Sequence, residues 1–218
     1  MIDSTRIQAL IQAVEQANSA EGLVESVRAL VATNSEEVIP TLITVLGYNN
    51  PEAAVIAVEG LIGLGEAAVM PLLNQLDEYN YGARAYSIRA LATIADPRAL
   101  DVLVTAAASD FAPSVRRAAA KGLGNLQWHQ LPPEHGQDAQ DLALRTLLEV
   151  SQDAEWANRY AAIVGLQALA ANASGMIERI KNRFEQMLSS ETDLAVRSRV
   201  LMAQQLMVVC CLLFAVYY

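Results

Sequence analysis

Tyr48-Asn49-Asn50-Pro51 returns 31 residues later as Tyr79-Asn80-Tyr81-Gly82, and after another 31 as Asp110-Phe111-Ala112-Pro113. Asn, Asp, Gly and Pro recurring at a fixed step mark turns between repeated units. A second register keeps the same step: Val38-Ile39-Pro40-Thr41-Leu42 aligns with Val69-Met70-Pro71-Leu72-Leu73. Gly60-Leu61, Ala90-Leu91, Gly122-Leu123 and Gly165-Leu166 occupy equivalent places in a helix. After each turn the apolar residues fall three and four apart: Val55, Val58, Leu61, Ile62; then Ile88, Leu91, Ala92, Ala95; then Val115, Ala119, Gly122, Leu126. That spacing is one stripe of a helix. β-branched alternation, the mark of a strand, never runs long.

Each unit reads as two helices. The first starts at Pro40 or Pro71, or follows Pro97, because proline suits a first turn whose amide has no partner to lose. The second starts after the turns at 49–51, 80–82 and 110–113. A pair of this size cannot bury its apolar face alone, so pairs must stack. The expected fold is all-α, a right-handed α-solenoid of HEAT-like helix pairs at about 22–46, 51–76, 82–107, 113–149 and 155–188. Residues 1–200 are expected as a single repeat domain and 201–218 as an apolar tail. Gln127 to Gln137 lengthens one connection, since Pro132-Pro133 cannot be helix interior. Gly60, Gly63 and Gly65 follow no strand, so they read as helix-packing glycines rather than a dinucleotide loop.

Composition narrows the function. The chain has 218 residues, 53% of them hydrophobic, with 15 Lys and Arg against 24 Asp and Glu for a net charge of −9. Abundant apolar residues exclude disorder. The acidic balance disfavours phosphate backbones, and no nucleic-acid partner is expected. Cys210 and Cys211 are adjacent and staple nothing distant, so a reducing, cytoplasmic setting is expected. The N-terminus shows no apolar export core. From Val200 onward there is no charged residue. A solenoid end needs a polar face, so this stretch reads either as a surface covered by a partner or by the array itself, or as a short membrane anchor.

Catalytic signatures are missing: two histidines, no Gly-x-Ser-x-Gly, no Ser-x-x-Lys, no Walker loop. His129, Glu134 and His135 match no standard metal spacing, and no metal is expected. The arginines say more. Arg84, Arg116 and Arg159 each stand seven residues before the Leu of the repeat position. Arg116, following Asp110, reads as a structural ladder that bonds loop carboxylates and carbonyls of the neighbouring unit. Arg117 lies ~100° round the helix from Arg116, outside that ladder. Residues 84–121 hold Arg84, Arg89, Arg98, Arg116, Arg117 and Lys121 against Asp96, Asp101 and Asp110, a local balance of +3 in an acidic chain. Such a cluster is either a solvated face or a site for carboxylates, which arginine forks pair well. Tyr79, Tyr81, Tyr86, Trp128, Trp156 and Tyr160 lie near the starts of these helices, either lining a groove or plugging inter-repeat seams; Tyr86 and Trp156 read as seam residues.

Tyr79-Asn80-Tyr81-Gly82-Ala83-Arg84-Ala85-Tyr86-Ser87-Ile88-Arg89-Ala90-Leu91, followed by Asp96-Pro97-Arg98-Ala99-Leu100, resembles the phycobilin lyases of the E/F type. So does Pro113-Ser114-Val115-Arg116-Arg117-Ala118-Ala119-Ala120-Lys121-Gly122-Leu123-Gly124-Asn125-Leu126. The likeness covers roughly residues 20–200. It implies one subunit of a heterodimer with an E-type lyase subunit. That pair attaches phycocyanobilin, an open-chain tetrapyrrole, to a cysteine of the phycocyanin α subunit through a thioether bond. The acceptor brings the thiol, so the lyase needs no nucleophile; the bilin is substrate, and no permanent cofactor is implied. On this view Arg84 and Arg117 pair the bilin propionates, Tyr81 and Trp128 pack on its rings, and His129 hydrogen-bonds a ring group or relays a proton. The Asn-His-Cys-Gln-Gly-Asn stretch of an isomerising relative does not occur, so attachment without isomerisation is expected. The alternative is a non-catalytic HEAT-repeat adaptor that binds phycobiliproteins.

Overall fold

The computed structural model describes residues 4–76 and 80–217. Among them there are helices and short 3-10 turns and no strand. Tyr79 and its neighbours 77 and 78, part of the second turn motif, lie outside the described residues.

The chain forms two compact units, residues up to Ile94 and residues from Ala95. The first holds α1 (Ser4–Glu15), α2 (Ala20–Val31), α3 (Ile39–Val45), α4 (Pro51–Leu64), α5 (Glu66–Asn74) and α6 (Tyr81–Ile94). Helices α2, α4 and α6 stack side by side, and α1, α3 and α5 cover them. Val27, Leu30, Leu42, Leu61, Leu72 and Leu91 fill the space between the layers. The turn residues of the sequence motif cap the helices. The Asn50 side chain accepts the Ala53 N–H, and the Asn80 side chain accepts the Ala83 N–H, each satisfying an amide that the first helical turn leaves unpaired.

The second unit repeats the scheme with α7 (Leu100–Ser109), α8 (Pro113–Leu123), α9 (Pro133–Val150), α10 (Trp156–Asn172), α11 (Ile177–Ser190) and α12 (Leu194–Tyr217). Here α8, α10 and α12 stack, with α7, α9 and α11 over them. Helices α8 and α10 approach so closely that a Cβ on Gly124 would overlap the Gly165 carbonyl, and a Cβ on Gly165 would overlap the Ala120 carbonyl.

Four expectations need correcting. Pro71 is not the start of a helix: Gly65, at φ 58°, turns the chain at once, so α5 begins at Glu66 and holds Pro71 inside it. Of the three glycines near that turn, Gly60 packs against Val31, Gly63 meets open space, and Gly65 serves the turn. The long connection is shorter than 127–137, because His135, Gly136 and Gln137 already belong to α9, which starts at Pro133. Helix α12 runs unbroken past residue 200 and buries Ala203 and Met207, so the start of the apolar stretch is the last helix of the array. Among the described residues no helix is long and apolar enough to cross a membrane.

Candidate functional site: an arginine ladder beside unpaired cations and exposed rings

The turns that join α7 to α8, α9 to α10 and α11 to α12 carry Asp110, Asp153 and Glu191. Six residues after each comes an arginine: Arg116, Arg159 and Arg197. In each case Nη1 donates to the backbone carbonyl of that acid, at 2.7, 2.9 and 3.0 Å. The chain carbonyls left over at the turn are thereby satisfied. The other edge of the guanidinium reaches the next turn. Arg116 Nε lies 3.3 Å from Asp153 Oδ2. Arg159 grips Glu191 with two bonds, Nε to Oε2 at 2.7 Å and Nη2 to Oε1 at 2.9 Å. Glu191 also accepts the Thr192 and Asp193 N–H groups. The Arg159 hydrogen bond, with those two amides, holds the Glu191 carboxyl below the usual carboxylate range against the opposing effect of burial. Glu191 in turn raises Arg159. The Asp110 carboxylate accepts the Ala112 N–H, while its carbonyl takes Arg116.

Arg98 and Arg179 pair with Asp96 and Asp141, whereas Arg117, Arg183 and Arg199 have no carboxylate partner among the described residues. Arg117 is half-buried on α8, one position past the ladder, with no acidic partner among the described residues. Arg183 donates to the Ser151 hydroxyl and carbonyl at 2.7 and 3.0 Å, and burial pushes its pKa down. With Arg159, Ser190, Glu191 and Thr192 it lines an open cleft of ≈ 370 Å³. Arg199 is buried on α12, donates to Gln167 at 2.6 Å and lies 5.9 Å from the Tyr160 ring centroid. Desolvation depresses it too. Sequence reading passed over Arg183, Arg197 and Arg199. The six-residue interval from an acidic turn was a usable signal for Arg197.

The sequence-derived site residues fall as follows. In the first unit, Tyr81 opens α6 and is 56% exposed. Arg84, one turn on, lies over its ring at 5.4 Å from the centroid, a cation–π distance. In the second unit, His129 is exposed in the 3-10 turn Trp128–Gln130. Trp128 is only 6% exposed, and its indole N–H finds no acceptor among the described residues. The expectation that Trp128 packs on a ligand is therefore corrected: burying so large a ring in the protein is the stronger effect. Phe111 and Trp156, at the starts of α8 and α10, are the rings left exposed at these turns. For Trp156 this overturns the seam reading; for Phe111 it is a residue that sequence reasoning missed. Among the described residues, no cluster of three His, Cys, Asp or Glu is placed to hold a metal ion.

Stacked helix pairs tied by an arginine–acid ladder define a HEAT-repeat protein. The HEAT-repeat family matches residues 69–167. The chain is 60% identical over 195 residues, 89% of its length and 97% of the relative's, to the phycocyanobilin lyase subunit beta of Nostoc sp. (strain PCC 7120). It is 52% identical to the phycocyanin alpha phycocyanobilin lyase CpcF of Synechocystis sp. (strain PCC 6803), covering 89% of this chain and 91% of that one. Among solved structures it resembles a chain of the CpcE–CpcF complex of phycocyanin lyase from Nostoc sp. PCC7120, with a TM-score of 0.76 and 63% identity over 78% of this chain and 99% of that one. The chain belongs to the family of phycocyanobilin lyase beta subunits.

Proposed function

We propose that this chain is one subunit of a heterodimeric lyase, acting with an E-type subunit to attach phycocyanobilin to a cysteine of the phycocyanin α subunit. The observation that carries this reading is the 60% identity over 97% of a named lyase subunit's length. The reaction is an addition. The acceptor thiol forms a sulfur–carbon bond to the bilin, the thiol proton passes to the bilin, and nothing leaves. Such a reaction needs binding and orientation more than a nucleophile on the enzyme, which suits a chain without a self-contained catalytic set. The setting is the cytoplasm, and the bilin is substrate rather than resident cofactor.

Arg117 is the residue best suited to a propionate: it is half-buried, cationic and without an acidic partner among the described residues, where an arginine–carboxylate hydrogen bond is strong. Trp156 and Phe111 offer ring faces in the same unit. His129 is exposed and able to donate or accept a proton near neutral pH. In the first unit, Tyr81 is exposed at the start of α6 and the Arg84 guanidinium lies over its ring. Asp110 and Arg116 act in the ladder and hold α8, which carries Arg117.

The test is reconstitution. The chain is mixed with its E-type subunit, phycocyanobilin and apo-phycocyanin α, and the α subunit is denatured and examined for bound colour and a mass increase equal to one bilin. Covalent colour that depends on both subunits is the expected result. Tight binding of the α subunit with no covalent product would favour the adaptor reading.

A further inference from the structure

Arg199 is a cation that the repeat does not ask for. Two positions after each ladder arginine of the second unit stand Ala118, Ala161 and Arg199. A methyl group fills this place on α8 and α10, so stacking gives no reason for a guanidinium on α12. Yet Arg199 is only 7% exposed. Its Nη2 donates to Gln167 at 2.6 Å, while Nη1 is buried without a hydrogen-bond partner. No carboxylate faces it among the described residues. The Tyr160 ring, with its centroid 5.9 Å from the guanidinium carbon, offsets part of the charge. A buried cation without a carboxylate partner costs stability, and the fold keeps it.

Tyr160 also neighbours a second such cation. Helices α8 and α10 start at the same edge, where Arg116 meets Asp153, and Gly165 lies against Ala120 and Gly124. Counting back five residues from Gly165, and from the midpoint of that pair, places Tyr160 level with Arg117. The row across α8, α10 and α12 is therefore a guanidinium, a half-buried ring and a guanidinium, with no carboxylate partner at either end among the described residues. Because Arg199 reaches over to Tyr160 on α10, its charge stands one helix spacing, about 8–10 Å, from α8, a distance that one tetrapyrrole spans. The row is complementary to a flat conjugated molecule that carries two carboxylates.

We infer that Arg199 is a second propionate receptor of the lyase: one bilin carboxylate takes its Nη1 donors when the half-buried Tyr160 ring turns aside, and Arg117 takes the other. This rests on the lyase reading above and adds a specificity to it, a substrate with two free carboxylates. Gln167 holds the guanidinium by Nη2 and leaves Nη1 for the ligand. An acidic side chain of the acceptor protein would bring the same chemistry, so the experiment separates the two sources.

Phycocyanobilin and its dimethyl ester are the probes, titrated by absorbance into the heterodimer of the full chain with its E-type subunit. Wild type should bind the free acid about tenfold or more tighter than the diester. Arg199→Met should lose about tenfold for the free acid and little for the diester, with the melting temperature not lowered. Arg199→Lys should recover part of the loss, as a point charge without the planar fork. Arg199→Met binding the free acid within twofold of wild type refutes the inference and leaves the lyase standing. An equal loss for both probes also refutes it, because a packing residue behaves that way. Normal bilin binding with weakened binding of apo-phycocyanin α would assign the carboxylate to the acceptor and overturn it too. If the wild-type heterodimer binds neither probe, the lyase reading itself falls.

Discussion

Removing the Glu191 carboxylate should cost the second unit more stability than removing any other acid in it. The side chains of Arg159 and Glu191 are 18% and 7% exposed, so little water remains to take over when one partner goes. Glu191→Ala deletes two charged hydrogen bonds to Arg159 and two to the amides of residues 192 and 193. It also leaves a guanidinium facing the protein with only backbone carbonyls to bond. Breaking a buried pair typically costs about 3–5 kcal/mol. Arg159 keeps its bonds to the Asp153 and Ala154 carbonyls, so the low end, ~3 kcal/mol, is expected. That corresponds to a fall in melting temperature of roughly 6–12 °C. Glu191→Gln keeps an acceptor for the amides and should lose about half as much. Urea unfolding of the two variants, with Arg159→Met and the double variant completing a cycle, separates the pair from its surroundings. The pH dependence carries a sign. The folded carboxyl is held below its ordinary value by Arg159, so its contribution is present above the unfolded value of ~4.3 and fades as pH falls through the folded one. Wild type and Glu191→Ala should therefore converge in stability as the solution is acidified. A Glu191→Ala variant within ~0.5 kcal/mol of wild type at neutral pH would refute the ladder as a source of stability.

Gly124→Ala and Gly165→Ala should each cost about 2 kcal/mol or more by forcing α8 and α10 apart, while Gly63→Ala, in open space within α4, should raise the unfolding free energy in urea by ~0.5 kcal/mol. Arg116→Ala should lower the melting temperature with the loss of the Asp110 and Asp153 contacts; Arg117→Ala should leave it unchanged and weaken bilin binding about tenfold in a spectral titration with the heterodimer. The reverse outcome would mean that the two arginines have exchanged roles. Arg199→Met should stabilise the second unit by ~1 kcal/mol in urea unfolding, because it removes a buried cation that has no carboxylate partner among the described residues; a lower midpoint would show that the Gln167 bond and the Tyr160 ring outweigh the cost of burying the charge.

The repeat fold was legible in the sequence because each helix pair restates the same local rules. Asn50 and Asn80 cap helices, Pro51 and Pro113 open them, and glycines sit where a neighbouring helix crowds in, Gly60 against the Val31 side chain and Gly165 against the Ala120 backbone. These are short-range effects, and a step of 31 residues prints them repeatedly along the chain. What stayed hidden depends on which atoms lie across the seam. Trp128 and Trp156 look alike in sequence, each close to a helix start, yet one is buried and the other stands in solvent. Whether Arg117 or Arg197 meets a carboxylate depends on how far a guanidinium reaches into the next turn, a distance that stacking sets and spacing does not. The acid six residues before each ladder arginine could be read from the chain; only the packed helices decide that Asp153 and Glu191 answer Arg116 and Arg159, and that the outer edge of Arg197 meets no carboxylate among the described residues. Interval and residue type are properties of a single strand of chain, whereas pairing and exposure arise when separate segments exclude water from each other.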